Sequence, residues 1–129
     1  MALMLATQGN TVECIEINPE LRKFTEFRME KHLTGENGSG PRVKFVAGPA
    51  EQYDMIVCWH VFEHVADPEG LLAQLVSHLA PDGLMFTQSD FHRDSIHAMH
   101  HEWGGDWEEA IRAVGLEPIE ERPWFYRRS

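Results

Sequence analysis

Cysteine is scarce in this sequence: there are only two, Cys14 and Cys58, and each lies within an apolar run. A secreted disulfide scaffold would carry more cysteines, at loop positions. The sequence therefore predicts two buried thiols that pack as small hydrophobic side chains, and it favours a cytoplasmic location.

Long apolar stretches and basic residues are also lacking. No segment approaches the apolar length of a membrane-spanning helix, and the first residues lack the basic-then-apolar pattern of a signal peptide. Lys and Arg total 11 against 21 Asp and Glu, which gives a formal net charge of −10. An acidic balance opposes attraction to a phosphate backbone. We therefore expect a protein that has neither a membrane nor a nucleic acid as its partner.

What the sequence does contain is an alternation of short strand-like and helix-like segments. The predicted strands are residues 11–17, 42–47, 54–59 and 84–88, with a further extended segment at 116–121. Three helices are predicted at residues 2–8, 94–103 and 106–114. Two further helices are predicted to begin at Asn18-Pro19 and at Pro68. Strands that alternate with helices predict parallel crossovers, and hence a doubly wound α/β sheet in one domain over residues 1–129.

Ligands of such sheets bind beyond the carboxyl ends of the strands, so the residues that follow each strand are the candidates for chemistry. Glu16 lies near the end of the first predicted strand. A carboxylate at this place can accept two hydrogen bonds from the vicinal hydroxyls of a ribose. The alternative is a solvated acid at a strand end.

Two passages resemble one known family. The run LATQGNTVECIEINPE is similar to the helix and second strand of class I S-adenosylmethionine-dependent methyltransferases, where an acid, a small polar residue and a proline mark the ribose site. The run DMIVCWHVFEHVADPEGLLAQLVSHLAPDGLMFTQ resembles the fourth strand, E-H-V turn, leucine-rich helix and fifth strand of that family, in its type 11/23 form. The resemblance extends from Ala2 to about Glu121. It implies a three-layer Rossmann-like fold with a mostly parallel sheet, and S-adenosylmethionine as the cofactor.

The sequence departs from the pattern of this family in three places. The first strand and the glycine-rich turn are missing, so we expect a truncated domain with weak or no affinity for the cofactor. Gly48-Pro49 stands where the family has an aspartate that binds the adenine amino group, and Glu51 is the candidate replacement. The final hairpin of the sheet is expected to end after Tyr126.

The missing strand would leave a gap in the centre of the sheet. The gap is expected to close in one of two ways: by direct pairing of the strands that hold Cys14 and Cys58, or by a strand from a partner, including a second copy in a homo-oligomer. Direct pairing is slightly favoured because it needs no partner.

The resemblance also implies the residues of the site. Those expected to contact the cofactor are Glu16, Ile17, Ala50, Glu51 and Trp59. His60 and His92, which follow the fourth and fifth strands of the family, are the candidate catalytic bases. Each of these histidines has an alternative role as an ordinary surface or core residue. Glu63 and His64 match the E-H-V turn, where a structural hydrogen-bonding role is expected.

A group of histidines near residue 100 has the spacing of a helix face: His97, His100 and His101, with His92 and Glu102 nearby. Two imidazoles one turn apart can chelate zinc. No H-E-x-x-H pattern is present, however, and exposed histidine-rich turns are common, so no metal site is predicted. A metal-dependent hydrolase accordingly ranks below the other functions.

The predicted function is methyl transfer from S-adenosylmethionine to an acceptor that the sequence does not define and that we expect to be a small molecule. The alternative is a methyltransferase-like module that keeps the fold but has lost cofactor binding and catalysis.

Overall fold

The computed structural model describes residues 1–33, 43–91 and 99–129, and the chain divides into two compact units, Met1–Pro49 and Ala50–Ser129. Each unit has a sheet of its own. The prediction of a single domain over residues 1–129 stays a prediction. Among the described residues, no helix has the length and apolar character that crossing a membrane requires.

The first unit consists, in chain order, of α1 (Ala2–Thr7), β1 (Val12–Cys14), α2 (Pro19–Leu33) and β2 (Val43–Phe45). The two strands are parallel, and an ion pair between Glu13 and Lys44 joins them at 3.0 Å. Both strands are shorter than predicted, and position 42 of the second prediction lies outside the described residues.

The helix ends in this unit follow from the local sequence. Gly9 follows α1 with a φ of +90°, a conformation that strains any residue with a Cβ. The side-chain oxygen of Asn18 accepts hydrogen bonds from the backbone N–H groups of Glu20 at 2.9 Å and Leu21 at 3.2 Å. Because Asn18 caps the helix and Pro19 is its first residue, α2 begins where the sequence predicts.

The apolar side predicted for α2 lies mostly on the surface. Met29 is buried, but Leu21, Phe24 and Phe27 are exposed by 54%, 58% and 58%. The periodicity of the sequence thus locates an apolar side on this helix without determining how much of it is packed.

The second unit consists of β3 (Tyr53–Trp59), a short 3-10 helix (Phe62–His64), α3 (Pro68–Ser77), β4 (Leu79–Gln88), α4 (Trp107–Ala113), β5 (Leu116–Pro118) and β6 (Phe125–Arg128). The strand order is β3-β4-β6-β5, with β3 and β4 parallel and β6 antiparallel to both of its neighbours. The predicted strands 54–59 and 84–88 lie within β3 and β4. The predicted α/β class is therefore confirmed.

The prediction that the final hairpin ends after Tyr126 is wrong. Strand β6 continues to Arg128 and lies between β4 and β5. Tyr126 is buried in the core, and the guanidinium of Arg128 donates a hydrogen bond to the carbonyl oxygen of Leu79. Residues 125–128 thus form an interior strand of this sheet.

The core of the second unit forms between the sheet and its helices. Asp67 caps α3, because its carboxylate accepts a hydrogen bond from the N–H of Gly70 at 2.9 Å, and Pro68 occupies the first turn. The apolar side of α3 is buried as predicted, and the fully buried apolar residues include Phe62, Leu72, Leu79, Met85, Ile111 and Leu116.

The predicted turn at residues 81–83 is an excursion within β4. Tyr53 pairs with Leu79, but Met55 already pairs with Leu84. Asp82 has a φ of +60°, and a Cβ on Gly83 would lie 2.7 Å from the carbonyl oxygen of Ala80. The chain therefore bulges out of the ladder and returns to it.

The helix predicted at residues 94–103 is only partly within the described chain. Residues 99–103 are not helical, and 94–98 lie outside the described residues. The helix predicted at 106–114 is confirmed as α4, which Asp106 caps through the N–H of Glu109 at 3.1 Å.

Direct pairing of the strands that hold Cys14 and Cys58 is also wrong. These strands, β1 and β3, belong to different sheets. With only three residues, β1 offers few ladder hydrogen bonds to a second neighbour. A strand donated by a partner or a second copy stays a prediction.

Candidate functional site

The turn after β3 begins at His60, whose φ of +52° lies in the left-handed region. This conformation costs a residue with a Cβ about 1–2 kcal/mol. The backbone N–H of His60 donates to the carbonyl oxygen of Gln88 at the end of β4, at 2.8 Å. The strained turn is thus fixed at the carboxyl ends of two parallel strands, where α/β sheets bind their ligands.

The left-handed turn brings His60 onto Glu63. Nδ1 of His60 lies 2.8 Å from Oε1 of Glu63, and the two side chains are exposed by 47% and 1%. An ionised carboxylate only accepts hydrogen bonds, so Nδ1 carries the hydrogen of this contact. In the tautomer that has its hydrogen on Nδ1, Nε2 has the lone pair, and the side chain is half-exposed.

Glu63 is ionised although it is buried. Burial raises the pKa of its carboxyl, but the polar groups around it, which are its own backbone, the ring of His60, the Asp90 backbone and the Ser89 hydroxyl, together hold the pKa below its ordinary value. Among the described residues, neither Glu63 Oε2 nor Ser89 Oγ makes a hydrogen bond of standard geometry. The Ser89 hydroxyl therefore lowers the pKa of Glu63 as a nearby polar group. Oε2 of Glu63 is buried and has no hydrogen-bond partner among the described residues.

Trp59 is the last residue of β3, and its side chain is 51% exposed. Its ring stacks on that of His60 at 5.9 Å and meets the edge of Phe86 at 6.1 Å. One aromatic surface is thus held in place beside His60.

Glu16 and Ile17 lie in the first unit, shortly after β1. Oε1 of Glu16 accepts a hydrogen bond from the backbone N–H of Asn18 at 2.9 Å, and Ile17 is 92% exposed. Their predicted contact with the cofactor is untested and stays a prediction.

The structure separates two other predicted site residues from His60. Ala50 and Glu51 precede β3, whereas Trp59 and His60 lie at its end, about 20 Å away at the usual rise per strand residue. The backbone carbonyl of Glu51 contacts Nδ1 of His78 at 3.0 Å. Ala50 and Glu51 belong to the short connection between β2 and β3. Because this connection leads into the amino end of β3, both residues lie at that end.

The second candidate base, His92, and the neighbouring His97 lie outside the described residues. The described part of the histidine group meets the E-H-V turn. His64 Nδ1 lies 3.2 Å from the carbonyl oxygen of Met99, and the N–H of His101 donates to the carbonyl oxygen of Glu63 at 2.8 Å. No sequence periodicity connects these residues, because the contact depends on the path of the chain between them.

A cavity of about 270 Å³ opens at the turn between β5 and β6. Its lining includes Glu108, Arg122, Trp124 and Tyr126, and none of the predicted site residues. Its volume is below the range of about 300–1,000 Å³ that is usual for small-molecule sites.

The chain belongs to the methyltransferase-domain family, whose sequence model matches residues 1–129. One curated relative is the ubiquinone biosynthesis O-methyltransferase of Salmonella paratyphi A, which is 28% identical over 87 residues, or 67% of this chain and 36% of that protein. The resemblance seen in the sequence is thereby confirmed.

Solved structures agree on the fold. The cyclase SpnF matches with a TM-score of 0.66 at 16% identity, over 90% of this chain and 46% of that chain. Magnesium protoporphyrin IX methyltransferase from Synechocystis PCC 6803, solved with bound S-adenosylmethionine, matches with a TM-score of 0.65 at 16% identity, over 98% of this chain and 61% of that chain. The predicted Rossmann-like fold is confirmed. Because a cyclase and a methyltransferase share it, the fold alone does not define the reaction.

This chain spans less than two thirds of the length of each of these three relatives, at 36%, 46% and 61%.

Proposed function

We propose that this chain is part of an S-adenosylmethionine-dependent methyltransferase that methylates a hydroxyl oxygen of a small-molecule acceptor, with His60 as the general base. The observation that carries the proposal is the pair of His60 and Glu63, joined at 2.8 Å at the carboxyl end of β3. Membership in the methyltransferase-domain family supports it, as does the curated relative named an O-methyltransferase.

The chemistry of the pair fits a nucleophile that carries a proton. S-adenosylmethionine, when bound, supplies a methyl group on a sulfonium centre that a hydroxyl oxygen can attack. Nε2 of His60 accepts the proton of that hydroxyl, since Glu63 keeps the hydrogen of the ring on Nδ1. Because Glu63 is buried and acts through the ring of His60, we assign it the role of a positioning residue.

Trp59 in the second unit and Glu16 in the first unit each have a side chain whose chemistry suits a part of S-adenosylmethionine, and their contact with one cofactor molecule stays a prediction. The half-exposed indole of Trp59 offers a flat apolar face of the kind that packs on a purine. Glu16 has a carboxylate, the group that accepts hydrogen bonds from ribose hydroxyls. Ile17 is assigned through the family resemblance only. Ala50 and Glu51 are left out of the proposed site because they lie at the other end of β3.

The test is a methyl-transfer assay of the full-length protein with S-adenosylmethionine and a panel of small hydroxylated acceptors. We expect His60→Gln to lower kcat by about 10²- to 10⁴-fold, the usual contribution of a general base, with little change in KM. Glu63→Gln is expected to lower kcat by a smaller factor. His78→Gln is the matched control, because His78 lies at the amino end of β3. A wild-type kcat in His60→Gln would contradict the proposed base.

A second candidate function, a module without catalysis, is favoured by Gly48-Pro49. This dipeptide offers no carboxylate, and Pro49 has no N–H, where the family has its adenine-binding aspartate. Calorimetric titration with S-adenosylhomocysteine distinguishes the two functions. Absence of both binding heat and methyl transfer would support the module, whereas binding together with transfer would exclude it.

A further inference from the structure

Glu63, His64 and His100 form a cluster whose potential metal-ligand atoms all lie within 4.8 Å of one another. The proposed base uses only Oε1 of Glu63, so methyl transfer does not account for this cluster. The rings of His64 and His100 meet edge to face, with their centroids 4.8 Å apart. Three side chains of metal-binding types are thus gathered from two separate stretches of the chain.

The tautomer of His64 suits a metal ligand. Its Nδ1 lies 3.2 Å from the carbonyl oxygen of Met99. A carbonyl oxygen can only accept, so Nδ1 carries the hydrogen and Nε2 has the lone pair. A backbone carbonyl on one ring nitrogen is the usual arrangement that orients a histidine whose other nitrogen binds a metal.

Glu63 contributes a carboxylate oxygen that lacks a partner. The side chain is 1% exposed, and Oε2 has no hydrogen-bond partner among the described residues, while Oε1 is taken up by His60. An unpaired buried acceptor costs about 1–3 kcal/mol, more when it is charged. A cation that binds this oxygen would remove that cost.

His100 is held beside the other two residues by the backbone. The N–H of His101 donates to the carbonyl oxygen of Glu63 at 2.8 Å. Together with the contact of His64 and Met99, this bond fixes residues 99–101 on the 3-10 helix. The geometry therefore belongs to the fold and does not depend on a single flexible side chain.

We propose that Glu63, His64 and His100 form a binding site for a divalent transition metal of the zinc type. Two imidazoles and one carboxylate are a ligand set of open zinc sites, in which the fourth position is left to water or to an oxygen of a ligand. Ligand atoms around one tetrahedral zinc ion lie about 3.3 Å apart at the usual bond lengths, so the donor atoms need to approach one another by about 1.5 Å at most. Small adjustments shared by the three side chains, with the contact between His64 Nδ1 and Met99 kept, supply such a movement.

The test is titration of the full-length protein, stripped of metal by a chelator, with zinc in a calorimeter and with cobalt in a visible spectrometer. Neither cofactor nor acceptor is added, so the result does not depend on the proposed methyl transfer. We expect one ion per chain and the strong visible absorption of tetrahedral cobalt. His64→Ala and His100→Ala are each expected to weaken binding by at least about tenfold, the lower bound for loss of even an orienting partner.

His101→Ala is the matched control, because His101 belongs to the same segment but contributes only its backbone N–H to the contact. Glu63→Gln keeps the shape of the buried side chain, and circular dichroism reports whether this variant folds. If it does not fold, the affinities of His64→Ala and His100→Ala for the metal test the proposal. Wild-type affinity for the metal in both His64→Ala and His100→Ala, or no stoichiometric binding by the wild-type protein, would overturn the proposal.

Discussion

At the scale of single residues, Glu63 connects most of the features at the end of β3. One carboxylate oxygen holds His60, the other is unpaired, and the backbone carbonyl holds the segment that carries His100. Because the side chain is buried, it cannot leave one of these contacts without disturbing the others. Base positioning is therefore tested by changing His60, and metal binding by changing His64 or His100, and not by changing Glu63 itself.

The negative charge of Glu63 also reaches Cys58. Burial raises the pKa of the Cys58 thiol to about 12, and the charge of Glu63 adds to this increase. The folded pKa thus exceeds the ordinary value of 9.0, so the stability that the protonated thiol contributes is complete below pH 9 and declines as pH rises through 9 towards 12. We expect Cys58 to resist a thiol-specific disulfide reagent at pH 8 in the native protein and to react once the chain is unfolded in urea.

Cys14 provides the internal comparison for this prediction. It is half-buried, so we expect it to react in the native state, more slowly than a free thiol because burial raises its pKa as well. The variants Cys14→Ser and Cys58→Ser assign the two phases of the reaction. Fast labelling of Cys58 in the folded protein would contradict its position in the core.

Individual site residues differ in how far the sequence could predict them. His60 is a candidate because it follows a predicted strand, and the structure places it at the carboxyl end of β3. Its pairing with Glu63 depends on a left-handed turn that no apolar periodicity encodes. The approach of His100 to His64 depends on the path of a long connection, which the local pattern of either segment does not contain.

At the scale of elements, the beginning of α3 is a place where two residues define a helix end. Asp67 accepts from the N–H of Gly70, and Pro68 fits the first turn. We expect Asp67→Ala to lower the free energy of unfolding by about 1 kcal/mol, the usual value of a capping residue. Urea unfolding followed by tryptophan fluorescence measures it.

Asp67→Asn is the matched variant, because asparagine caps a helix about as well as aspartate. We expect it to lose only a few tenths of a kcal/mol. Equal losses in the two variants would mean that the charge of Asp67, and not its hydrogen bond, stabilises this end of the helix.

Elements with a strong local signal are predicted best. The continuous apolar run of β3 and the leucines of α3 determine the type of each element, because each apolar side has to be buried against a sheet or a helix. The second half of β6 is missed because it consists of Arg127-Arg128, which lacks an apolar pattern; pairing with β4 and β5 makes it a strand. Tertiary contacts thus decide where local propensity is weak.

At the scale of the whole molecule, burial is distributed unequally between the two units. The main core cluster, which includes Phe62, Leu72, Met85, Ile111 and Leu116, lies entirely within Ala50–Ser129. Among the described residues of Met1–Pro49, the buried apolar side chains are Ala6 and Met29. Because apolar burial is the main favourable contribution to folding, stability is expected to reside in the second unit.

We therefore expect a fragment comprising Ala50–Ser129 to fold by itself, with a cooperative thermal transition by circular dichroism, and a fragment comprising Met1–Pro49 to remain unfolded. Leu72→Ala supplies the internal check, because Leu72 is fully buried in the core of the second unit. The exchange should lower the free energy of unfolding by about 2–5 kcal/mol, and by the same amount in the fragment and in the 129-residue chain. A fragment that melts without cooperativity would mean that the second unit needs the first to fold, and a markedly smaller cost in the fragment would mean that its core is not packed as in the whole chain.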